Sequence, residues 1–233
     1  MANATKISSI TDLLRINRPV LAVAVFVSTL SSLVFLATLY KPDLTHTLYL
    51  SVDTPWGIVT SIFLHKDLAH LSVNLLFLWF WTIYVIFPDS LLSREERRGR
   101  LRIFVPTVFG AAIVANIIWV IISSPGYNTQ GSSGLVFAVL GTAVGFLLVN
   151  MMNVVSRFKA LQITKRRKVN ALMSNIIPLA FFLMLIVFYT DLFLVVAPGV
   201  NVFVHGTAFL IGFFVMLMRE YVPFMRYAIK PRT

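Results

Sequence analysis

Two adjacent serines lie between two glycines in the stretch TQGSSGLVFAVLG (residues 129–141), where a polar turn becomes an apolar run. A serine hydroxyl becomes an effective nucleophile when a base within hydrogen-bond reach takes its proton. Histidine is the commonest base of this kind, and His205 lies in a second apolar stretch, NVFVHGTAFLIG. Ser133 and His205 therefore form a candidate dyad, with Ser132 as neighbour. The chain has no cysteine, which excludes disulfides, thiolate catalysis and cysteine metal ligands.

Hydrogen-bond donors for a tetrahedral intermediate are also present. His70 and Asn74 are four residues apart in LAHLSVNLLFLWF and so lie on one helix face. Ser133 begins an apolar helix, where backbone N–H groups are free and the helix dipole is positive. The pattern differs from the G-x-S-x-G elbow of soluble hydrolases, because residue 135 is Leu.

Each of these residues also has a simpler interpretation. A serine in a membrane helix usually bonds its own backbone or a neighbouring helix, and polar pairs often join helices. A lone histidine in such a helix more often makes an interhelical hydrogen bond or belongs to a proton path. Asp67 and Asp191 are candidates for orienting a histidine, but an acidic residue near a helix end is often only a solvated terminus. A serine and histidine dyad is therefore the leaner hypothesis.

Membrane-spanning helices are the elements that must position these residues. Of 233 residues, 58% are hydrophobic and 12% are charged, whereas soluble domains have about 25% charged residues. Six apolar stretches, uncharged apart from Asp191 in the fifth, are long enough to cross roughly 30 Å of hydrocarbon, which takes about 20 helical residues. They are Pro19–Tyr40, Leu68–Phe87, about Ile103–Ile122, about Ser133–Asn153, about Leu172–Ala197 and about Val202–Met218. The sequence predicts an all-α membrane protein, a six-helix bundle forming a single domain over residues 1–233.

The net charge of +11 is distributed as a membrane topology predicts. If the N-terminus is cytoplasmic, 18 of the 20 Lys and Arg residues lie in inside segments, and Lys41 and Lys66 lie outside. This positive-inside pattern predicts that both termini are cytoplasmic, with residues 1–18 as the N-terminal segment and residues 219–233 as the tail. Basic runs such as SREERRGR are interpreted as loops beside anionic lipid, and no nucleic-acid partner is predicted.

The predicted topology brings the candidate residues to one depth. The second, fourth and sixth helices all begin outside, and the polar groups lie in or near their first two turns, within roughly 10 Å of the outer helix ends. Small residues at spacings that allow close helix packing follow the serine and the histidine. They are Gly134, Ala138, Gly141 and Gly145 on helix four, and Ala208 and Gly212 on helix six. If these stripes face each other, they bring Ser133 and His205 together.

Three ordered motifs resemble those of the rhomboid intramembrane serine proteases. PWGIVTSIFLHKDLAHLSVNLLFLWF is similar to the family's first loop and second helix, with His70 and Asn74 as the H-x-x-x-N pair and His65 upstream. GSSG matches the family's G-x-S-G, which assigns the nucleophile to Ser133 and makes Ser132 the variable position. HGTAFLIG resembles the sixth-helix signature, which assigns the base to His205.

The resemblance implies hydrolysis of a peptide bond in or near a substrate's transmembrane segment, with no cofactor and no metal. His70 and Asn74 would stabilise the oxyanion together with the Ser133 N–H. The implied partners are transmembrane protein substrates and the lipid bilayer. The resemblance also implies a water-filled cavity open to the outside, a first loop (residues 41–67) partly in the outer leaflet, and a fifth helix beside the lateral route for substrate.

The chain departs from the family pattern at three positions. The family often has Trp-Arg where this chain has Trp56 and Gly57, and glycine where it has Ala208. The family also often has tyrosine, stacked beneath the base, where this chain has Phe137. The first departure bears on how the loop is anchored, and the other two alter packing while leaving the chemistry in place.

Two other functions fit parts of the pattern. An inactive relative would escort membrane helices without cutting them, but such relatives typically lose the serine or the histidine that this chain retains. A small transporter or channel would use His70, Asn74 and His205 as a polar path, but these residues cluster at one end of the bundle. We therefore expect a serine endopeptidase, a multi-pass protein of a prokaryotic cell membrane.

Overall fold

The regular structure is helical throughout the described residues. A computed structural model describes residues 10–86, 94–160, 165–188 and 201–229. These residues contain no β-strand, and their nine α-helices are numbered in chain order. The helices are α1 Ile10–Ile16, α2 Arg18–Tyr40, α3 Leu44–Leu48, α4 Gly57–Thr60 with the 3-10 helix Ser61–Phe63 after it, α5 Leu68–Ile86, α6 Arg94–Ile122, α7 Ser133–Ala160, α8 Lys165–Phe188 and α9 Val202–Ile229. The prediction of an all-α protein is confirmed.

Five of the described helices are long and apolar enough to cross a membrane. Their apolar parts are Arg18–Tyr40, Leu68–Ile86, Leu101–Ile122, Ser133–Met152 and Val202–Arg219. They coincide with five of the six predicted stretches and confirm a multi-pass membrane protein. The remaining stretch, about Leu172–Ala197, overlaps α8, in which Asn175–Met184 is apolar, and continues into residues outside the described ranges. The six-span count and the cytoplasmic termini stay predictions.

Four helices extend well beyond the apolar stretches that predicted them. α6 begins at Arg94, α7 ends at Ala160, α8 begins at Lys165 and α9 ends at Ile229, so part of the basic sequence assigned to loops is helical. Lys, Arg and Glu are good helix formers, and hydropathy marks the part of a helix that crosses the membrane instead of its full length. Arg219 of α9 donates to the carbonyl of Gly99 in α6 at 2.6 Å, which ties two of these helices together.

The segment between α2 and α5 (residues 41–67) holds two short α-helices and a 3-10 helix, which the sequence analysis treated as one loop. Thr60 Oγ1 donates to the carbonyl of Leu48 at 2.8 Å, which closes the segment on itself. Asn116 Nδ2 of α6 donates to the carbonyl of Ile58 at 2.9 Å. The loop is therefore fixed both internally and against a spanning helix.

α7 is the central helix of the bundle. Within its membrane window 78% of the residues are buried, against 28% to 39% for the other four candidate spans. α9 approaches α7 so closely that a Cβ at Gly141 would collide with the carbonyl oxygen of Phe209. A Cβ at Gly212 would lie 2.6 Å from the carbonyl oxygen of Ala138. The small-residue stripes of the two helices thus face each other, as the spacing predicted, and the backbones pack where side chains are missing.

We expect Gly141→Ala to lower the free energy of unfolding by about 1–3 kcal/mol, because the added methyl group forces α7 and α9 apart. Gly110→Ala in α6 is the matched control, since a Cβ there meets no heavy atom within 4 Å. This control should be neutral or stabilising by up to about 1 kcal/mol. Unfolding in detergent micelles measures both variants, and equal midpoints for the two would contradict the packing described.

Candidate active site

Ser133 and His205 face each other where α7 and α9 begin. Ser133 Oγ lies 2.7 Å from His205 Nε2. Ser133 is the first residue of α7 and is half-buried, whereas His205, in the first turn of α9, is buried. The His205 ring stacks on Phe137 with the ring centroids 4.4 Å apart and 6° between the planes. One turn of α7 therefore supplies both the hydroxyl and the surface that holds the imidazole.

Among the described residues, no acid hydrogen-bonds to the second nitrogen of His205. A neutral imidazole accepts the Ser133 proton only at an unprotonated Nε2, and its own proton then lies on Nδ1. His205 Nδ1 is buried, and no described residue hydrogen-bonds to it. Within the part of the chain that the structure describes, the pair is therefore a dyad. Asp191, one of the two acids considered as an orienting group, lies outside the described residues.

Asp67, the other acid, caps a helix. Its Oδ1 accepts the backbone N–H of His70 at 2.7 Å. His70 is the third residue of α5, so Asp67 occupies the N-cap position and satisfies one of the free N–H groups at the helix start. An acidic residue directly before an apolar helical run is the usual sequence signal for this role.

Ser132 is bound by a different histidine. Its hydroxyl oxygen lies 3.0 Å from His65 Nε2, and its backbone N–H donates to the same nitrogen at 3.3 Å. Ser132 is 0% exposed and His65 is 2% exposed. The two neighbouring serines therefore face two separate histidines, and of the two only Ser133 is partly accessible. The sequence shows His65 upstream of the pair His70 and Asn74, but no sequence pattern predicts its contact with Ser132.

The protonation state of His65 follows from its contacts. A backbone N–H can only donate, so His65 Nε2 must carry a lone pair and the ring proton must be on Nδ1. His65 Nδ1 lies 3.3 Å from the carbonyl oxygen of Phe63, which accepts that proton. Burial, and to a lesser degree the neighbouring His70, lower the pKa of His65 to about 4. The ring is therefore neutral at physiological pH and fixed at both nitrogens.

His70 lies against Gly131 in the serine loop, which is the segment between α6 and α7 (residues 123–132). A Cβ on Gly131 would be 3.0 Å from His70 Nε2 and 3.7 Å from Ser133 Oγ, so the imidazole and the hydroxyl border the same small space. Gly131 has φ 121°, a conformation that favours glycine. Asn74 is buried one turn along α5, and its Nδ2 donates to the carbonyl of His70 at 3.0 Å. The structure thus brings His70 to the serine, with Asn74 hydrogen-bonded to its backbone.

The loop before α7 is held by the segment between α2 and α5. Leu50 and Thr129 form an isolated antiparallel bridge, with backbone hydrogen bonds of 3.0 and 2.9 Å. The Gly131 N–H donates to the carbonyl of Ser61 at 2.8 Å. Backbone bonds between two irregular segments leave no periodic pattern in a sequence, which is why the sequence analysis missed them.

The three departures from the family pattern are accommodated in the packing. A Cβ on Gly57 would lie 2.6 Å from the Leu50 Cα, so the start of α4 packs on the residue that pairs with Thr129. An arginine has no room at that position, and the loop is anchored by backbone contact instead. Phe137 stacks on the imidazole without a hydroxyl group. Ala208 is fully buried in α9.

Comparison with known proteins gives one family match. A model of the Rhomboid domain matches residues 52–221, well over half of the chain. The match covers residues 52–67 of the segment before α5, the whole serine loop, and α9 as far as residue 221. Among curated proteins, no match was found.

We expect the stability of the protein to fall as the pH decreases from 6.5 to about 4, and His65 to contribute to this fall. The pKa of His65 is lowered from 6.5 to about 4 in the folded protein, so between these values the unfolded chain binds a proton that the folded chain does not. His65→Gln should therefore show a smaller decrease in the thermal unfolding midpoint over this range than the wild type.

The exposed His46→Gln is the control, because it also removes one histidine. Thermal unfolding in detergent at pH 7, 6, 5 and 4 gives the slopes to compare. If His65→Gln and His46→Gln have the same slope as the wild type, the neutral, buried state assigned to His65 is wrong.

Proposed function

The chain belongs to the rhomboid family, and on that premise we propose that it is an intramembrane serine endopeptidase acting on transmembrane segments of membrane proteins. The observation that carries this proposal is the 2.7 Å contact between Ser133 Oγ and His205 Nε2. This distance lies within the range in which a base takes a proton from a nucleophile.

In the first half of the proposed reaction, Ser133 Oγ attacks the scissile carbonyl carbon as its proton moves to His205 Nε2. The tetrahedral intermediate collapses when the carbon–nitrogen bond breaks, and His205 gives its proton to the leaving amine. In the second half, His205 takes a proton from water, the hydroxide attacks the acyl carbon, and Ser133 leaves with the returned proton. The stack on Phe137 keeps the imidazole in one orientation through both halves.

Three donors are assigned to the oxyanion. The backbone N–H of Ser133 lies at the start of α7, where N–H groups lack intrahelical partners and the dipole is positive. The His70 ring borders the same space as Ser133 Oγ. The Asn74 amide carries two N–H groups, so its bond to the His70 carbonyl leaves one donor free. Fixed donors of this kind stabilise charge that develops only in the transition state.

The proposed membrane arrangement follows from the charge pattern. We assign six spans, with α8 and the residues after it as the fifth, and both termini on the cytoplasmic side. The dyad would then lie toward the outer side of the bilayer, in a single domain of residues 1–233, in a prokaryotic cell membrane. Substrate helices that unwind easily near their outer end should be preferred, because a membrane helix hides its carbonyls in its own hydrogen bonds.

The escort and transporter functions do not account for the geometry of Ser133 and His205 as well as the protease function does. An inactive protein that only escorts membrane helices has no need for a serine hydroxyl bonded to a stacked imidazole. A transporter needs a polar path through the bilayer. The buried residues of α7 below the serine are mostly apolar, such as Val139 and Leu147, and Thr142 and Asn150 are separated along the helix by apolar residues.

We expect Ser133→Ala and His205→Ala each to reduce cleavage of a model transmembrane substrate by at least about three orders of magnitude. Ser133→Ala should also abolish labelling by a fluorophosphonate, in which the serine oxygen displaces fluoride from phosphorus. Ser132→Ala should keep measurable cleavage and labelling, because its hydroxyl faces His65. The assay uses purified protein in detergent or liposomes, with the labelled residue located by mass spectrometry.

Ser31→Ala is the control for loss of a buried hydroxyl outside the two helices of the dyad, since Ser31 lies in α2 and is 0% exposed. It should cleave at the wild-type rate. Cleavage that survives Ser133→Ala, or that Ser132→Ala alone abolishes, would overturn the assignment. A wild type that binds but never cuts or labels would favour the escort function.

A further inference from the structure

Ser132 and His65 form a buried polar pair that the reaction described above does not use. Both are almost completely excluded from solvent, at 0% and 2% exposure. Two donors of Ser132, its N–H and its hydroxyl, converge on one nitrogen of the ring. The other nitrogen is held by the carbonyl of Phe63. A buried side chain with each of these polar atoms paired has one orientation, because losing any pairing would leave a buried group unsatisfied.

Gly131, the residue before Ser132, is the position at which the backbone has the most conformational freedom to lose. Gly131 adopts φ 121° and can rotate through conformations closed to other residues. Two residues later the chain must present the Ser133 hydroxyl at 2.7 Å from His205 Nε2. The Gly131 N–H is bonded to the carbonyl of Ser61, and the next N–H, that of Ser132, is bonded to His65. Successive peptide units are thus fixed by one segment, residues 61–65.

We propose that Ser132 and His65 are positioning residues for the nucleophile: the His65 ring holds the peptide unit ahead of Ser133, so that the Ser133 hydroxyl points at His205. The inference rests on the proposed function and adds a role for the variable serine of the doublet. The pair also keeps the Ser132 hydroxyl bonded to His65, so of the two serines only Ser133 is bonded to the base.

A positioning role has a kinetic signature that differs from that of substrate binding. Neither side chain is exposed, so neither contacts a substrate and KM should stay at its wild-type value. Loosening the serine lowers the fraction of complexes in which the hydroxyl is aligned, so kcat falls. The rate of fluorophosphonate labelling should fall by the same factor, because it depends on the same alignment.

The test compares three variants in cleavage and labelling assays. Ser132→Ala removes the hydroxyl contact and keeps the N–H contact, so kcat should fall about three- to tenfold, the effect of one hydrogen bond. His65→Met has similar reach but no strong acceptor, and kcat should fall about ten- to a hundredfold because both contacts are lost. His65→Gln places an amide oxygen near the position of Nε2 and should restore most of the rate. Ser31→Ala is the control and should match the wild type.

Each variant's unfolding midpoint is measured alongside, and rates are corrected for the folded fraction. The inference is overturned if Ser132→Ala keeps the wild-type kcat, if the losses appear in KM, or if His65→Gln is as slow as His65→Met. In these cases the wild type still cleaves and Ser133→Ala does not, so the proposed function stands. If the wild type neither cleaves substrate nor labels at Ser133, the proposed function fails and this inference fails with it.

Discussion

The close approach of α7 and α9 is the constraint on which the candidate site depends. Ser133 and His205 are 72 residues apart in the chain, and only the packing of these two helices brings them within hydrogen-bond distance. Gly141 and Gly212 remove the side chains that would keep the backbones apart. In a bilayer, burial of apolar surface drives helix association less than it does in water, so contact between backbones becomes a main source of specificity. The same glycines that stabilise the bundle therefore set the geometry of the dyad.

A second set of contacts fixes the serine from the opposite side. The segment between α2 and α5 is bonded to the loop before α7 at Thr129, Gly131 and Ser132, through backbone groups and one imidazole. The helix pair determines where α7 begins relative to α9, and the segment determines the conformation in which the chain enters α7. The helix pair and the segment are both needed to position Ser133, because a helix N-terminus alone leaves the backbone of the residue before it free to rotate.

Features that depend on neighbouring residues could be predicted from the sequence, whereas contacts between residues distant in the chain could not. Hydropathy located the five candidate spans of the described residues, because length and lack of charge are local properties. The four-residue spacing indicated that Gly141 and Gly145 share a face. Serine and histidine in apolar surroundings singled out Ser133 and His205. The Ser132 and His65 contact was not predictable, since it joins two irregular segments 67 residues apart. The helices of the segment between α2 and α5 were missed because four or five residues show no periodicity.

The contact at Gly57 limits how this loop can be exchanged with the loops of relatives. The family often has arginine at this position, but here the space for any side chain is taken by the backbone at Leu50, which pairs with the serine loop. A change of Gly57 to arginine would require the backbone at Leu50 to move and would disturb the bridge to Thr129. Gly57 and the backbone at residues 49 and 50 therefore depend on each other, and grafting loop sequences from relatives into this chain must exchange residues 49–57 as one unit.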